Sequence, residues 1–160
     1  MLVQGWARHH GGRPAYGGRL TEPLRAILRG MTETAFTHRH LADVEDAAPR
    51  FGMSDTQEAR FAYGALDCEQ VGFSHHRVKA GKRQAFGHKH EEAEEVYVVI
   101  SGSGRVKLDD EVIDLTRLDA LRVAPQVMRQ FEAGPDGLEL LAFGQHRKGD
   151  GETVPGWWSD

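Results

Sequence analysis

From Cys68 onward, short apolar or alternating runs are separated by turn residues at close, regular spacing. That punctuation predicts strands over 68–79, 84–90, 95–101, 104–108, 111–116, 119–124, 128–132 and 138–144. Gly81, Gly102-Ser103-Gly104, Asp109-Asp110, Pro125 and Gly134-Pro135-Asp136-Gly137 supply the breaks. Lys107 to Val112 reads as a tight hairpin, because Asp tolerates the backbone angles a short turn demands. Eight short strands of this kind suit an all-β jelly-roll barrel, which buries one face of each strand and hides most sheet edges. Ahead of them, Ala59, Phe61, Ala62 and Leu66 recur at roughly helical spacing and predict a short helix within 55–66.

The expected organisation has four parts: a weakly ordered basic extension (1–30), a short helical or irregular lead-in (31–67), the barrel (68–146) and an aromatic tail (147–160). Residues 1–30 hold five Arg and one Glu, a net +4 that leaves −8 for the remainder of a chain whose formal charge is −4. Two Gly-Gly pairs and little apolar periodicity mark that opening as loose, and Met31 is an alternative natural start. The overall charge gives no basic field suited to nucleic acid, so no nucleic-acid partner is expected. The single cysteine, Cys68, fits a reducing cytoplasm and no disulfide framework. Without an apolar run near the ~20 residues of a membrane span, no membrane partner is expected either.

Candidate chemistry concentrates at His88-Lys89-His90 and Glu95. Two histidines at i and i+2 on a strand face the same way, since side chains alternate across it. Two imidazoles and a carboxylate converging on one spot suit a divalent transition metal. The plainer alternative is a solvated acidic loop, given Glu91, Glu92 and Glu94. A second pair, His38 and His40, has no strand context and no carboxylate at ligand spacing, and reads as a surface pair.

In this setting the chain resembles the cupin superfamily, specifically its small single-domain bacterial members. Their first motif runs Gly, five residues, His-x-His, three or four residues, Glu, six residues, Gly. Here His88, His90, Glu95 and Gly102 keep that spacing, with only Gly81 one position too far ahead. The resemblance implies a cupin-type jelly roll over about 68–144, with His88, His90 and Glu95 as ligands of Fe, Mn, Ni or Zn. The small cupins commonly dimerise, so a homodimer is expected as well. The second motif departs from the family. Its metal-ligating His slot holds Arg129, with Leu118, Ala124 and Gln126 at the Gly, Pro and Gly slots. A one-residue shift recovers Pro125 but puts Gln130 in that slot. Alternation favours Arg129, which shares a face with the apolar Phe131.

A guanidinium has no lone pair for a metal and stays charged. Three readings stay open: a metal held by His88, His90 and Glu95 with open positions; a metal-free barrel with a Glu95–Arg129 ion pair; or Arg129 as a clamp for an anionic ligand. Tyr97 shares the face of Glu95 and is a candidate ligand contact or a core residue. Of His75 and His76, at most one faces the barrel. His146 follows the last strand near the barrel mouth; Lys107 and Arg122 are expected in solvent; Trp157 and Trp158 are expected to cover the barrel or a neighbouring subunit. The functional expectation is a barrel binding a divalent metal and a small organic ligand. The alternative is a non-catalytic, metal-free small-molecule binder. No nucleophile or acid–base pair in the sequence identifies a reaction.

Overall fold

Alternation of buried and half-exposed positions organises eight antiparallel strands in the computed structural model, which describes residues 36–159. They are β1 (Gln57–Phe61), β2 (Val71–Val78), β3 (Phe86–His90), β4 (Glu95–Leu108), β5 (Glu111–Leu115), β6 (Ala120–Val123), β7 (Arg129–Gln145) and β8 (Gly151–Pro155). Among the described residues the one α-helical turn, α1, is Ala62–Ala65. The sheet runs β1-β2-β7-β3-β8, and β4 pairs with β5, β6 and β7. This curled antiparallel sheet is the expected all-β jelly-roll barrel. The basic extension expected over 1–30 lies outside the described residues.

β7 is the spine. Its C-terminal part lies between β2 and β4, and its N-terminal part between β4 and β3. Side chains facing inward from these strands form the core: Val78, Tyr97, Val99, Val106, Phe131, Leu138, Leu140 and Ala142, with Leu115 and Val123 from β5 and β6. Their alternation along β4 and β7 is the period of two that buries one face of a strand.

Two long strands replace four expected short ones. The glycine-rich segments that predicted turns instead form bulges opposite one another. Register shifts fall between Val99 and Ser101, opposite Leu140 and Glu139, and between Gly102 and Gly104, opposite Gly134–Gly137 on β7. Gly102 has a φ of 74°, and a Cβ there would lie 2.0 Å from the Gly137 carbonyl oxygen. Only glycine fits both the angle and the approach.

The helix expected within 55–66 is mostly strand. Gln57 and Ala59 are buried and alternate with Glu58 and Arg60, while the Ala59 amide donates to Asp46 Oδ1 at 2.8 Å. Pairing with β2 outweighed the helical spacing, and helix survives only as α1. The barrel therefore starts earlier than residue 68. It also ends later than 146, because β8 adds a strand beside β3 within the expected tail. Beyond β8, Trp157 packs on Gly87 and under Lys107 Nζ, 4.6 Å from the ring centroid. Trp158 lies beneath Arg83 and Arg105 and donates its amide to Gln130 Oε1 at 3.0 Å. The tryptophans cover their own barrel, and Lys107 stacks on the tail instead of standing free in solvent. Among the described residues no helix is long and apolar enough to cross a membrane.

Gly102→Ala should therefore destabilise the barrel by about 2 kcal/mol or more, through a forced left-handed Cβ and a shifted strand crossing. Thermal unfolding should show a melting point lower by several degrees; an unchanged melting point would contradict the role given to this bulge.

Candidate metal centre

Three elements bring the candidate ligands together. His88 and His90 project from the same face of β3, Glu95 opens β4, and Arg129 opens β7 directly opposite His88 in the ladder. One ligand atom from each of His88, His90 and Glu95 lies within 4.8 Å of the others. The separations are 3.4 Å from His88 Nε2 and 3.3 Å from His90 Nε2 to Glu95 Oε2.

That same oxygen is the hub of a polar network. Arg129 Nη2 donates to it at 2.6 Å, and the Tyr97 hydroxyl donates to it as well. Arg129 Nε donates to Tyr97 Oη at 3.2 Å, while Nη1 donates to the carbonyls of Pro125 and Val127 at 3.2 and 3.1 Å. Arg129 is 0% exposed. Its inward register follows from Phe131, also fully buried two residues on; Gln130 faces the other way and bonds the tail and Gln84. A guanidinium with this many protein acceptors is occupied as an ion-pair partner, and little of it is left to clamp an anion.

Burial alone would push the Glu95 carboxyl up, but the adjoining His88 and His90 imidazoles and the Tyr97 hydroxyl hold it well below the usual carboxylate range. Burial lifts the Tyr97 hydroxyl well above its ordinary range, with the Glu95 charge adding to it, so Tyr97 stays a donor. Burial also lowers His88, favouring the neutral imidazole a metal requires. Both nitrogens of His90 and Nδ1 of His88 are buried with no hydrogen-bond partner.

Two residues that the sequence reading did not place belong here. Asp150, after β7, accepts the amides of Glu92 and Ala93 at 2.9 and 3.1 Å and so pins the loop between β3 and β4. Its Oδ2 stands 3.2 Å from His90 Nδ1, out of hydrogen-bond alignment but close enough to favour one ring orientation. Nothing periodic marks a loop aspartate this far along the chain. His76 is the second. It pairs in register with Leu140, so it faces the barrel interior, whereas His75 faces outward and meets Glu139 Oε1 at 2.6 Å. Alternation with Val78 was the available signal. A cleft of about 150 Å³ opens beside Glu95 and His90, with Ser74, Phe61 and Tyr63 among its walls. His146 stacks on Tyr63 at 4.0 Å at the rim. His38 and His40 are exposed and remote in character from this cluster, and Arg122 is exposed and bonded to Glu94.

No family model matches the chain, and no curated protein matches it. Solved structures do. A cupin protein from Bacteroides fragilis is 23% identical over 78% of this chain and 92% of its own, with a TM-score of 0.57. The polyketide cyclase RemF from Streptomyces resistomycificus is 17% identical, covering 78% and 87%, at a TM-score of 0.62. A sugar phosphate isomerase of the cupin superfamily from Silicibacter pomeroyi is 15% identical, covering 75% and 93%, at a TM-score of 0.60. This likeness establishes that the chain has the fold of the cupin superfamily.

Buried neutral histidines make stability depend on pH. His76 is lowered from 6.5 to about 4, mainly by burial. The unfolded chain therefore binds its proton first as pH falls, so the contribution is complete above pH 6.5 and declines toward about pH 4. Glu95, also lowered, adds a further loss below about pH 4.5. In metal-free protein, urea midpoints should fall over this range, and His76→Gln should flatten the part between pH 6.5 and 4. Parallel pH curves for the two proteins would refute the assignment.

Proposed function

We propose that this chain is a small single-domain cupin, cytoplasmic, that binds a divalent transition metal through His88, His90 and Glu95 and takes a small organic ligand in the adjoining cleft. The observation that carries the reading is the convergence of both Nε2 atoms, of His88 and His90, on Glu95 Oε2 at 3.4 and 3.3 Å. Buried polar atoms are nearly always satisfied, and His90 Nε2, buried beside that carboxylate with no hydrogen-bond partner, marks a place for a cation. The donor set, two neutral imidazoles and one carboxylate, fits Fe, Mn, Ni or Zn. Such an ion would supply Lewis-acid polarisation of a bound oxygen. Around it the protein's own groups would keep Glu95 ionised, turn His90 with Asp150 and narrow access through Phe61 and Tyr63.

Arg129 opposes the ion. At a separation on the order of 5 Å and an effective dielectric of 20, a unit cation repels a dication by about 7 kcal/mol. Structural zinc in a full four-ligand site gains about 10–16 kcal/mol. Repulsion of that size weakens binding without abolishing it. The metal-free alternative has its own support: the Arg129–Glu95–Tyr97 network is already complete in the protein alone. In that reading the barrel is a non-catalytic binder. The named activities of the structural neighbours differ from one another, so the fold does not choose among them.

Metal analysis of untagged protein separates the two. Wild type should carry close to one equivalent per chain, and His88→Ala and His90→Ala should each fall well below it. Arg129→His should tighten binding by removing the repulsion and adding a ligand. Metal content unchanged in both alanine variants would end the triad assignment.

We further propose a homodimer. The tail packs on its own barrel, so the apolar surface that favours association is the outer face of β2 and β7. There Val71 and Phe143 are 50% and 37% exposed, and Phe73 stacks on Phe143 at 5.0 Å. Light scattering should report a dimer that Phe143→Glu weakens. A monodisperse wild-type monomer at high micromolar concentration would rule this out.

A further inference from the structure

β2 turns three side chains toward the barrel interior: Ser74, His76 and Val78, opposite Ala142, Leu140 and Leu138 of the core. Two of the three are polar, although their partners on β7 are all apolar. His76 Nε2 lies 2.8 Å from Ser74 Oγ, and Phe61 meets the imidazole edge-on at 6.1 Å. His76 Nδ1 is buried with no hydrogen-bond partner. Ser74, in turn, lines the cleft shared with Glu95 and His90.

The direction of the Ser74–His76 hydrogen bond follows from this geometry. Burial keeps His76 neutral, with its titration lowered to about 4, so the ring carries one N–H. If that hydrogen sat on Nδ1, a donor would be buried unpaired, the rarer and costlier arrangement. With the hydrogen on Nε2, His76 donates to Ser74 Oγ. The serine's own proton is then released from this bond and free to point into the cleft. Ser74 becomes a preset donor, and no third group orients His76 as a base, so the pair is not a nucleophile and its activator.

We propose that Ser74, oriented by His76, is the ligand-binding donor of the barrel mouth, and that it receives the carbonyl oxygen of a small, flat, uncharged molecule. Flatness follows from the aromatic and small walls, Phe61, Tyr63, Ala93 and Ala142, while Gln145 and His146 add polar ones. Lack of charge follows from the balance around the cleft: Glu95 is paired with Arg129, and Arg147 and Asp150 bring opposite signs to the same walls. The proposal rests on the reading of this cleft as a ligand site, but not on the metal.

Benzamide is a suitable probe, followed by NMR titration with and without bound zinc. Wild type should bind it in both states, Ser74→Ala should weaken it by about five- to tenfold, the worth of one hydrogen bond, and Ser74→Thr should retain it. Long-range proton–nitrogen spectra should place the His76 hydrogen on Nε2. Zinc titration of the same samples reports on the triad separately: failure of wild type to take up zinc removes the metal assignment while benzamide binding still supports Ser74. Equal benzamide affinity in wild type and Ser74→Ala, no binding by wild type, or a hydrogen on Nδ1 would each overturn the proposal. So would equal losses of zinc and benzamide in Ser74→Ala, since that pattern describes a collapsed barrel mouth.

Discussion

The barrel is organised around an ion pair that it could not leave half-made. Arg129 is wholly enclosed and Glu95 mostly so, and each would be a costly buried charge without the other. Meeting at one carboxylate oxygen, they join the start of β4 to the start of β7, and Tyr97 bonds to both. The carbonyls of Pro125 and Val127 then consume the other face of the guanidinium, which fixes the turn leading into β7. The imidazoles of β3 face this arrangement through their Nε2 atoms, 3.4 and 3.3 Å from the same oxygen. The polar centre is thus prearranged by the protein's own charges, and any cation must enter a field that Arg129 has already shaped.

That arrangement divides the interior by polarity. One end of the barrel is packed with Val99, Val106, Phe131 and Leu138, while the other collects three imidazoles, a serine and the ion pair. The apolar end supplies the burial that stabilises the fold. The polar end loses part of that gain and carries whatever chemistry the protein performs. Stability and function are therefore drawn from different stretches of the same strands.

Much of this was legible in the residues, for reasons that differ from place to place. His88, His90 and Glu95 stood out because a strand's period of two and a motif's spacing agreed. Arg129 was placed by one apolar neighbour, Phe131, which fixed the register. β1 was obscured because Ala59, Phe61, Ala62 and Leu66 fit a helix as well as a strand, and only pairing with β2 decides between them. The two long strands were hidden by their own glycines, which signal turns and bulges alike. β8 is short, ends in proline and has its pairing partner about sixty residues earlier, a relation no local pattern reveals. Asp150 is invisible for the same reason.

Asp150 has a consequence in time as well as in space. The loop that separates His90 from Glu95 is held by a carboxylate 57 and 58 residues further along the chain. During synthesis, β3 and β4 emerge long before the residue that sets the loop between them. Contacts of such long range form late and slowly. A ribosome-bound chain can therefore expose both imidazoles and their carboxylate while still lacking the means to hold them in register. The centre takes its final geometry only once the segment after β7 has joined the barrel and Asp150 has closed on the loop.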